Sequence, residues 1–117
     1  MKLRLNDTLI RLRCRRSEVE LFAKTGLIET VAPFPDGRRL RIVLALASVD
    51  APRVSFTGDL LEVAVPTAAA AAWTSTDEVS ICGRHGKLDI LVEKDFRRTS
   101  LRSPDDDDRY PNPRAER

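Results

Sequence analysis

The chain has 117 residues, of which 42% are hydrophobic and 32% are charged, and its net charge is +2. This length suits one domain, and the apolar fraction suffices for a packed core, so the composition excludes disorder throughout. The longest apolar runs are too short to span a bilayer, and no apolar signal-peptide segment follows the first residues. We therefore expect a cytoplasmic protein with no membrane contact, whose two cysteines are free thiols.

The chain begins with an alternating pattern that predicts a β-hairpin. The words KLRLN and TLIRLRC each place apolar residues at every second position. A two-residue turn at either Asn6-Asp7 or Asp7-Thr8 brings both apolar sets to one face, because the two registers differ by two residues. The sequence pattern does not distinguish between these two turns.

A short helix follows the hairpin. Ser17 and Glu20 have the spacing of a capping box, and Gly26 is suited to the position that ends a helix. We therefore predict a helix over residues 18–25. The words LIETVAPF and RLRIVLALAS then predict two strands joined by a turn at PFPDGR.

The second half of the chain repeats this order of elements. RVSF and LLEVAV predict a hairpin that turns at residues 57–59, with Phe56 among its inward residues. Pro66 and Thr67 open a helix that runs through the alanines to Trp73. DEVSICG and KLDILVEKD are the last two predicted strands.

A shift of 51 positions aligns the two halves without a gap through the helix. It places Phe22 on Trp73 and Ile28 on Val79, and the last strand matches at a shift of 48. We expect Phe22 and Trp73 to be core residues at equivalent places. The pattern predicts an α+β fold of mainly antiparallel strands, barrel-like or a sandwich, built from two pseudo-twofold ββαββ repeats with two short helices.

The predicted domain covers residues 1–95, with the first repeat at about 2–46 and the second at about 53–94. Residues 96–117 have no apolar period, three prolines and four consecutive aspartates, so we expect a disordered tail that carries both acidic and basic residues. The aspartates at positions 105–108 are candidates to compete for the basic residues of the first hairpin.

Positive charge is concentrated in the first hairpin. Residues 1–16 carry six bases and one acid, and the hairpin parity places four of the bases on one face: Lys2, Arg4, Arg11 and Arg13. This face is the candidate site for an anion or an acidic partner. It has no interleaved aromatic residue for base stacking, and a solvated strand face is the simpler explanation of the same charges.

Few residues suggest catalysis or metal binding. Cys82 and His85, with Cys14 elsewhere, could supply three metal ligands, whereas a structural zinc site normally has four. His85 is the only histidine, and the sequence has no glycine-rich phosphate-binding loop. We therefore assign no catalytic residue, no metal ligand and no cofactor.

The words IRLR, RSEVE followed by TG, DEVSI, VEKDF and YPNP resemble a family of small bacterial proteins with a domain of unknown function. The resemblance spans nearly the whole chain and implies a cytosolic protein of single-domain size. It implies no activity, cofactor or catalytic residue. Members of this family often have a cysteine shortly after EKDF, where this chain has Arg97 and Arg98.

These observations favour a non-enzymatic binding or interaction module. The alternative is nucleic-acid or polyanion binding through the basic hairpin, and a metal-dependent protein that uses Cys82 and His85 is less favoured. The candidate partners are an acidic protein, a nucleic acid or a second copy of the chain that pairs at an exposed strand edge.

Overall fold

The structure is a computed structural model, and it describes residues 1–96 and Tyr110. The predicted tail therefore lies almost entirely outside the described residues, and so does the hypothesis about the aspartates at positions 105–108. None of the helices in the described part of the chain is long and apolar enough to cross a membrane.

The described residues form two successive ββαββ units, which is the predicted order of elements. The elements are β1 (Lys2–Leu5), β2 (Leu9–Cys14), α1 (Arg16–Thr25), β3 (Leu27–Pro33), β4 (Arg39–Ala47), β5 (Arg53–Thr57), β6 (Leu60–Pro66), α2 (Thr67–Ser75), β7 (Ser80–His85) and β8 (Leu88–Lys94).

The strands form two four-stranded sheets, each built from one hairpin of each unit. Sheet 1 has the order β1-β2-β8-β7, and sheet 2 has the order β3-β4-β6-β5. The hairpins are antiparallel, whereas β2 pairs with β8 and β4 pairs with β6 in parallel. The mainly antiparallel α+β fold is therefore confirmed. No ladder joins the two sheets among the described strands, so the barrel-like alternative is wrong.

The pairing registers of the two sheets agree with a repeat at a shift of 51. Lys2 lies opposite Arg13 in β1 and β2, and Arg53 lies opposite Ala64 in β5 and β6. The turn between β1 and β2 is at Asp7-Thr8, because Leu5 pairs with Ile10 and the Asn6 amide donates to the Leu9 carbonyl. Superposition of residues 2–46 on residues 53–94 stays a prediction.

The predicted equivalence of Ile28 and Val79 is wrong. Val79 lies before β7 and is half exposed, whereas Ile81 is buried. Ile81 lies opposite Val92 in the same way as Ile28 lies opposite Leu44. The sequence offset between the two units is therefore 53 positions from β3 to β7 and 48 positions from β4 to β8. Two residues have therefore been added before β7, and the hairpin that follows is five residues shorter.

Helix α1 begins two residues earlier than predicted, because a different carboxylate caps it. The Arg15 amide donates to Oε1 of Glu18 at 2.8 Å, so Glu18, and not Glu20, satisfies the amide at the helix start. Gly26 ends the helix in the left-handed conformation, with φ of 73°, as its place in the sequence predicts.

The core centres on a contact between two residues that the repeat makes equivalent. Phe22 and Trp73 are 1% and 0% exposed, and their ring centroids lie 6.1 Å apart in an edge-to-face arrangement. Nε1 of Trp73 donates to the Val79 carbonyl at 3.1 Å, so the buried indole has its partner. Both residues are confirmed as core. Phe56 is not, because it lies beside the turn at the end of β5 and is 70% exposed.

We predict that Trp73→Ala lowers the free energy of unfolding by ~3–5 kcal/mol, since it removes a fully buried aromatic side chain. Chemical denaturation measures the change. Leu21→Ala is the control, because Leu21 lies on α1 with half of its side chain exposed. Equal denaturation midpoints for the two variants would show that Trp73 is not a structural anchor.

Candidate interaction surface

The structure brings the four predicted basic residues together on the outer face of sheet 1. Lys2 lies opposite Arg13, and Arg4 lies opposite Arg11, across the antiparallel pair β1 and β2. The apolar residues between them face the core, where Ile10, Leu12 and Cys14 are buried. We call this outer face, with its four bases, the basic face.

An acidic residue of β8 lies within the basic face. Oε1 of Glu93 is 2.6 Å from Nε of Arg13 and 2.8 Å from Nε of Arg11, and Glu93 is only 9% exposed. The hydrogen bond to Glu93 raises the pKa of Arg13. Nε of Arg11 is close to the same oxygen but makes no hydrogen bond to any described residue.

The sequence does not reveal this Arg11–Glu93–Arg13 cluster, because Glu93 is 80 or more positions away from the two arginines. Parallel pairing of β2 with β8 places Glu93 beside Arg13. The alternation of β8 correctly predicts that Glu93 points outward. It does not predict which strand lies alongside, and that neighbour decides whether Glu93 is solvated or buried.

The basic face retains an excess of positive charge after these contacts. Nζ of Lys2 lies 3.2 Å from Oδ2 of Asp95, and Arg4 has no ion pair among the described residues. Two carboxylates therefore offset the four bases of β1 and β2, while Asp89 on the same face is paired with Arg84 of β7. The excess is centred on Arg4 and Arg11, which lie directly opposite each other, and like charges in that position are unfavourable.

The corresponding face of sheet 2 forms without such a cluster. The repeat places Ala64 at the position of Arg13 and Ala45 at the position of Glu93, and Ala45 lies opposite Ala64. The same strand pairing is thus stable with two alanines where sheet 1 has an ion pair. The charges of the Arg11–Glu93–Arg13 cluster are therefore not part of what the two sheets share.

The structure does not bring together the three residues considered as metal ligands. Cys14 is buried in the core, Cys82 is exposed on the outer face of sheet 1, and His85 lies on the opposite face of β7. Nδ1 of His85 is 3.1 Å from both the amide nitrogen and the carbonyl oxygen of Val54, so it joins the edges of the two sheets. No group of three metal-ligating side chains occurs among residues 1–96 and Tyr110.

The fold defines an α+β protein of two sheets, each with one hairpin from each unit, and the outer face of sheet 1 carries the basic residues. The chain belongs to a family of unknown function, DUF7009, whose model matches residues 1–114. This match confirms the resemblance to a domain family of unknown function at the level of the family. No curated protein and no solved structure matches the sequence.

We predict that only one of the two thiols reacts with a disulfide reagent in the native protein at pH 8. Burial, with a further contribution from the charge of Glu18, raises the pKa of Cys14 to about 12, so its thiol stays protonated and inaccessible. Cys82 is exposed. The absorbance of the thiol that the reagent releases should correspond to one reactive cysteine per chain before denaturation and to two after it.

The control for this measurement is Cys82→Ser, in which the native protein should release almost no reagent thiol. Fast reaction of the remaining Cys14 in that variant would contradict the buried position of the residue.

Proposed function

We propose that this protein is a non-enzymatic interaction module that binds an acidic segment of a partner protein on its basic face. The observation that carries the proposal is the difference between the two sheets. Where sheet 2 has Ala45 opposite Ala64, sheet 1 has Glu93 opposite Arg13, although both sheets have the same pairing. A charged cluster that the fold does not need is explained by a partner.

The Arg11–Glu93–Arg13 cluster holds two guanidinium groups in place around one buried carboxylate. Ordering a long side chain costs rotamer entropy, and here Glu93 has already restricted both arginines before a partner arrives. Arg4 lies opposite Arg11, so a carboxylate placed between them relieves their repulsion. Guanidinium groups match the two oxygens of a carboxylate in a bidentate geometry.

Two features of the basic face favour an acidic protein segment over a nucleic acid. The four strands of sheet 1 contain no phenylalanine, tryptophan or tyrosine on which a base could stack. Asp89 is exposed on this face, and its carboxylate repels a continuous phosphate backbone. A short acidic segment brings fewer charges and can avoid this residue.

We predict that a fluorescent peptide rich in glutamate binds the full chain and that Arg4→Glu with Arg11→Glu weakens binding by at least about tenfold. Fluorescence anisotropy at low and physiological salt measures the affinity, which should fall as salt rises. Arg4→Glu alone serves as a second variant, because Arg4 is exposed and its replacement leaves the Arg11–Glu93–Arg13 cluster unchanged.

The matched control is Arg53→Glu, which changes the repeat counterpart of Lys2 on the outer face of sheet 2 and should bind the peptide like the parent. A single-stranded RNA of equal charge is the second probe. Equal binding by the parent and both Arg4 variants would contradict the proposal. Tighter binding of the RNA than of the peptide would assign the face to a nucleic acid instead.

A further inference from the structure

A second surface feature is an open cleft of about 290 Å³ beside the turns of sheet 2. Its lining residues are Phe34, Asp36, Arg38, Arg39, Leu40, Phe56 and Asp59. The two phenylalanines are 51% and 70% exposed, in a chain with only six aromatic residues. Exposing two aromatic rings at one place costs hydrophobic free energy unless an occupant covers them.

Both phenylalanines are departures from the repeat. The counterpart of Phe56 is Leu5, and the segment that carries Phe34 has no counterpart, because the β7–β8 hairpin is five residues shorter. The other unit therefore folds without either ring. Two separate changes, one in β5 and one in the β3–β4 hairpin, meet at the same cleft, and this coincidence points to a binding role.

The loop that carries Phe34 is fixed by its own hydrogen bonds. The Phe34 amide donates to the Arg38 carbonyl at 2.8 Å, and the Gly37 amide donates to the Phe34 carbonyl at 3.0 Å. Oδ1 of Asp36 accepts the Arg38 amide at 3.0 Å, and Gly37 has φ of 91°, which favours glycine. The Phe34 ring is thus presented on a restrained backbone, which lowers the entropy cost of binding.

The charges around the cleft favour an occupant with a carboxylate. The Arg38 guanidinium is paired with Asp59, and the Asp36 carboxylate accepts a backbone amide. Arg39 has no ion pair among residues 1–96, and it is exposed. Asp36 keeps its negative charge but already accepts a backbone amide, so Arg39 is the one charged group of the lining with no polar partner among residues 1–96.

The edge of β5 favours an occupant that has peptide groups. The two-residue turn at Gly58-Asp59 makes the amides and carbonyls of Val54 and Phe56 point away from β6. His85 lies against the groups of Val54, at 3.1 Å. The peptide groups of Phe56 are left at an open edge beside the cleft, where an extended peptide can pair with them.

We infer that this cleft binds a linear peptide segment of a partner protein, with an apolar side chain against Phe34 and Phe56 and a carboxylate near Arg39. A volume of about 290 Å³ lies at the lower end of the range for small-molecule pockets and suits one or two side chains. The inference is independent of the proposed function, because the basic face belongs to the other sheet.

The test is selection of a random seven-residue peptide library, displayed on phage, against the full chain. Enriched peptides should pair an aromatic or aliphatic residue with aspartate, glutamate or a free carboxyl end. Their synthetic forms should bind Phe56→Ala about thirtyfold more weakly than the parent. Arg39→Gln should weaken the binding of those with a carboxylate by several-fold.

Leu5→Ala is the matched control, since Leu5 is the exposed repeat counterpart of Phe56, and it should bind the selected peptides like the parent. Phe56 is exposed, so its truncation leaves the fold intact, and a thermal melt checks this. Failure to enrich any motif, or parental affinity of both Phe34→Ala and Phe56→Ala, would overturn the inference. Peptides that lose affinity only with the Arg4 and Arg11 substitutions would belong to the basic face and would also overturn it.

Discussion

The contact between Phe22 and Trp73 is the interaction on which the rest of the structure depends. The alignment at a shift of 51 makes these two residues equivalent, and their contact is the one that a twofold relation between the units predicts. Neither unit can bury its aromatic ring without the other, because each ring is covered partly by its counterpart. The same dependence extends to the sheets, since each takes one hairpin from each unit. The two units therefore form one core rather than two.

The differences between the two units are where we place function. A repeated scaffold accounts for positions that are apolar and buried in both units, such as those of β2 and β6. It does not account for the Arg11–Glu93–Arg13 cluster, which sheet 2 replaces with alanines, or for Phe34 and Phe56 at the cleft. The cluster has a desolvation cost that sheet 2 avoids, and the cleft exposes two aromatic rings where the other unit exposes the smaller side chain of Leu5. A binding role offsets such costs in each case.

Local sequence patterns predicted most of the helices and strands. They did not predict the features that depend on pairing between distant strands. Alternation located the strands, and Gly26 and Pro66 correctly marked a helix end and a helix start. Alternation does not show which strands become neighbours, so the parallel pairing of β2 with β8 and the burial of Glu93 were missed. Phe56 has the parity of a core residue, but it lies near the end of β5, beyond the core. Parity predicts which face of a strand a residue is on, and it does not predict how far the core extends along the strand.

The most direct measurement is the free energy of unfolding of the triple variant Arg11→Ala, Arg13→Ala and Glu93→Ala, which removes the whole cluster and leaves alanines where the other sheet has Ala64 and Ala45. A cluster that the fold does not need predicts a value within about 1 kcal/mol of the parent. Glu93→Ala alone should lower the free energy of unfolding by ~1–3 kcal/mol, because Arg13 loses its hydrogen-bond acceptor and Arg11 loses the carboxylate beside its buried Nε. A loss in the triple variant as large as in Glu93→Ala would show that the cluster holds the fold together and would contradict its assignment to binding.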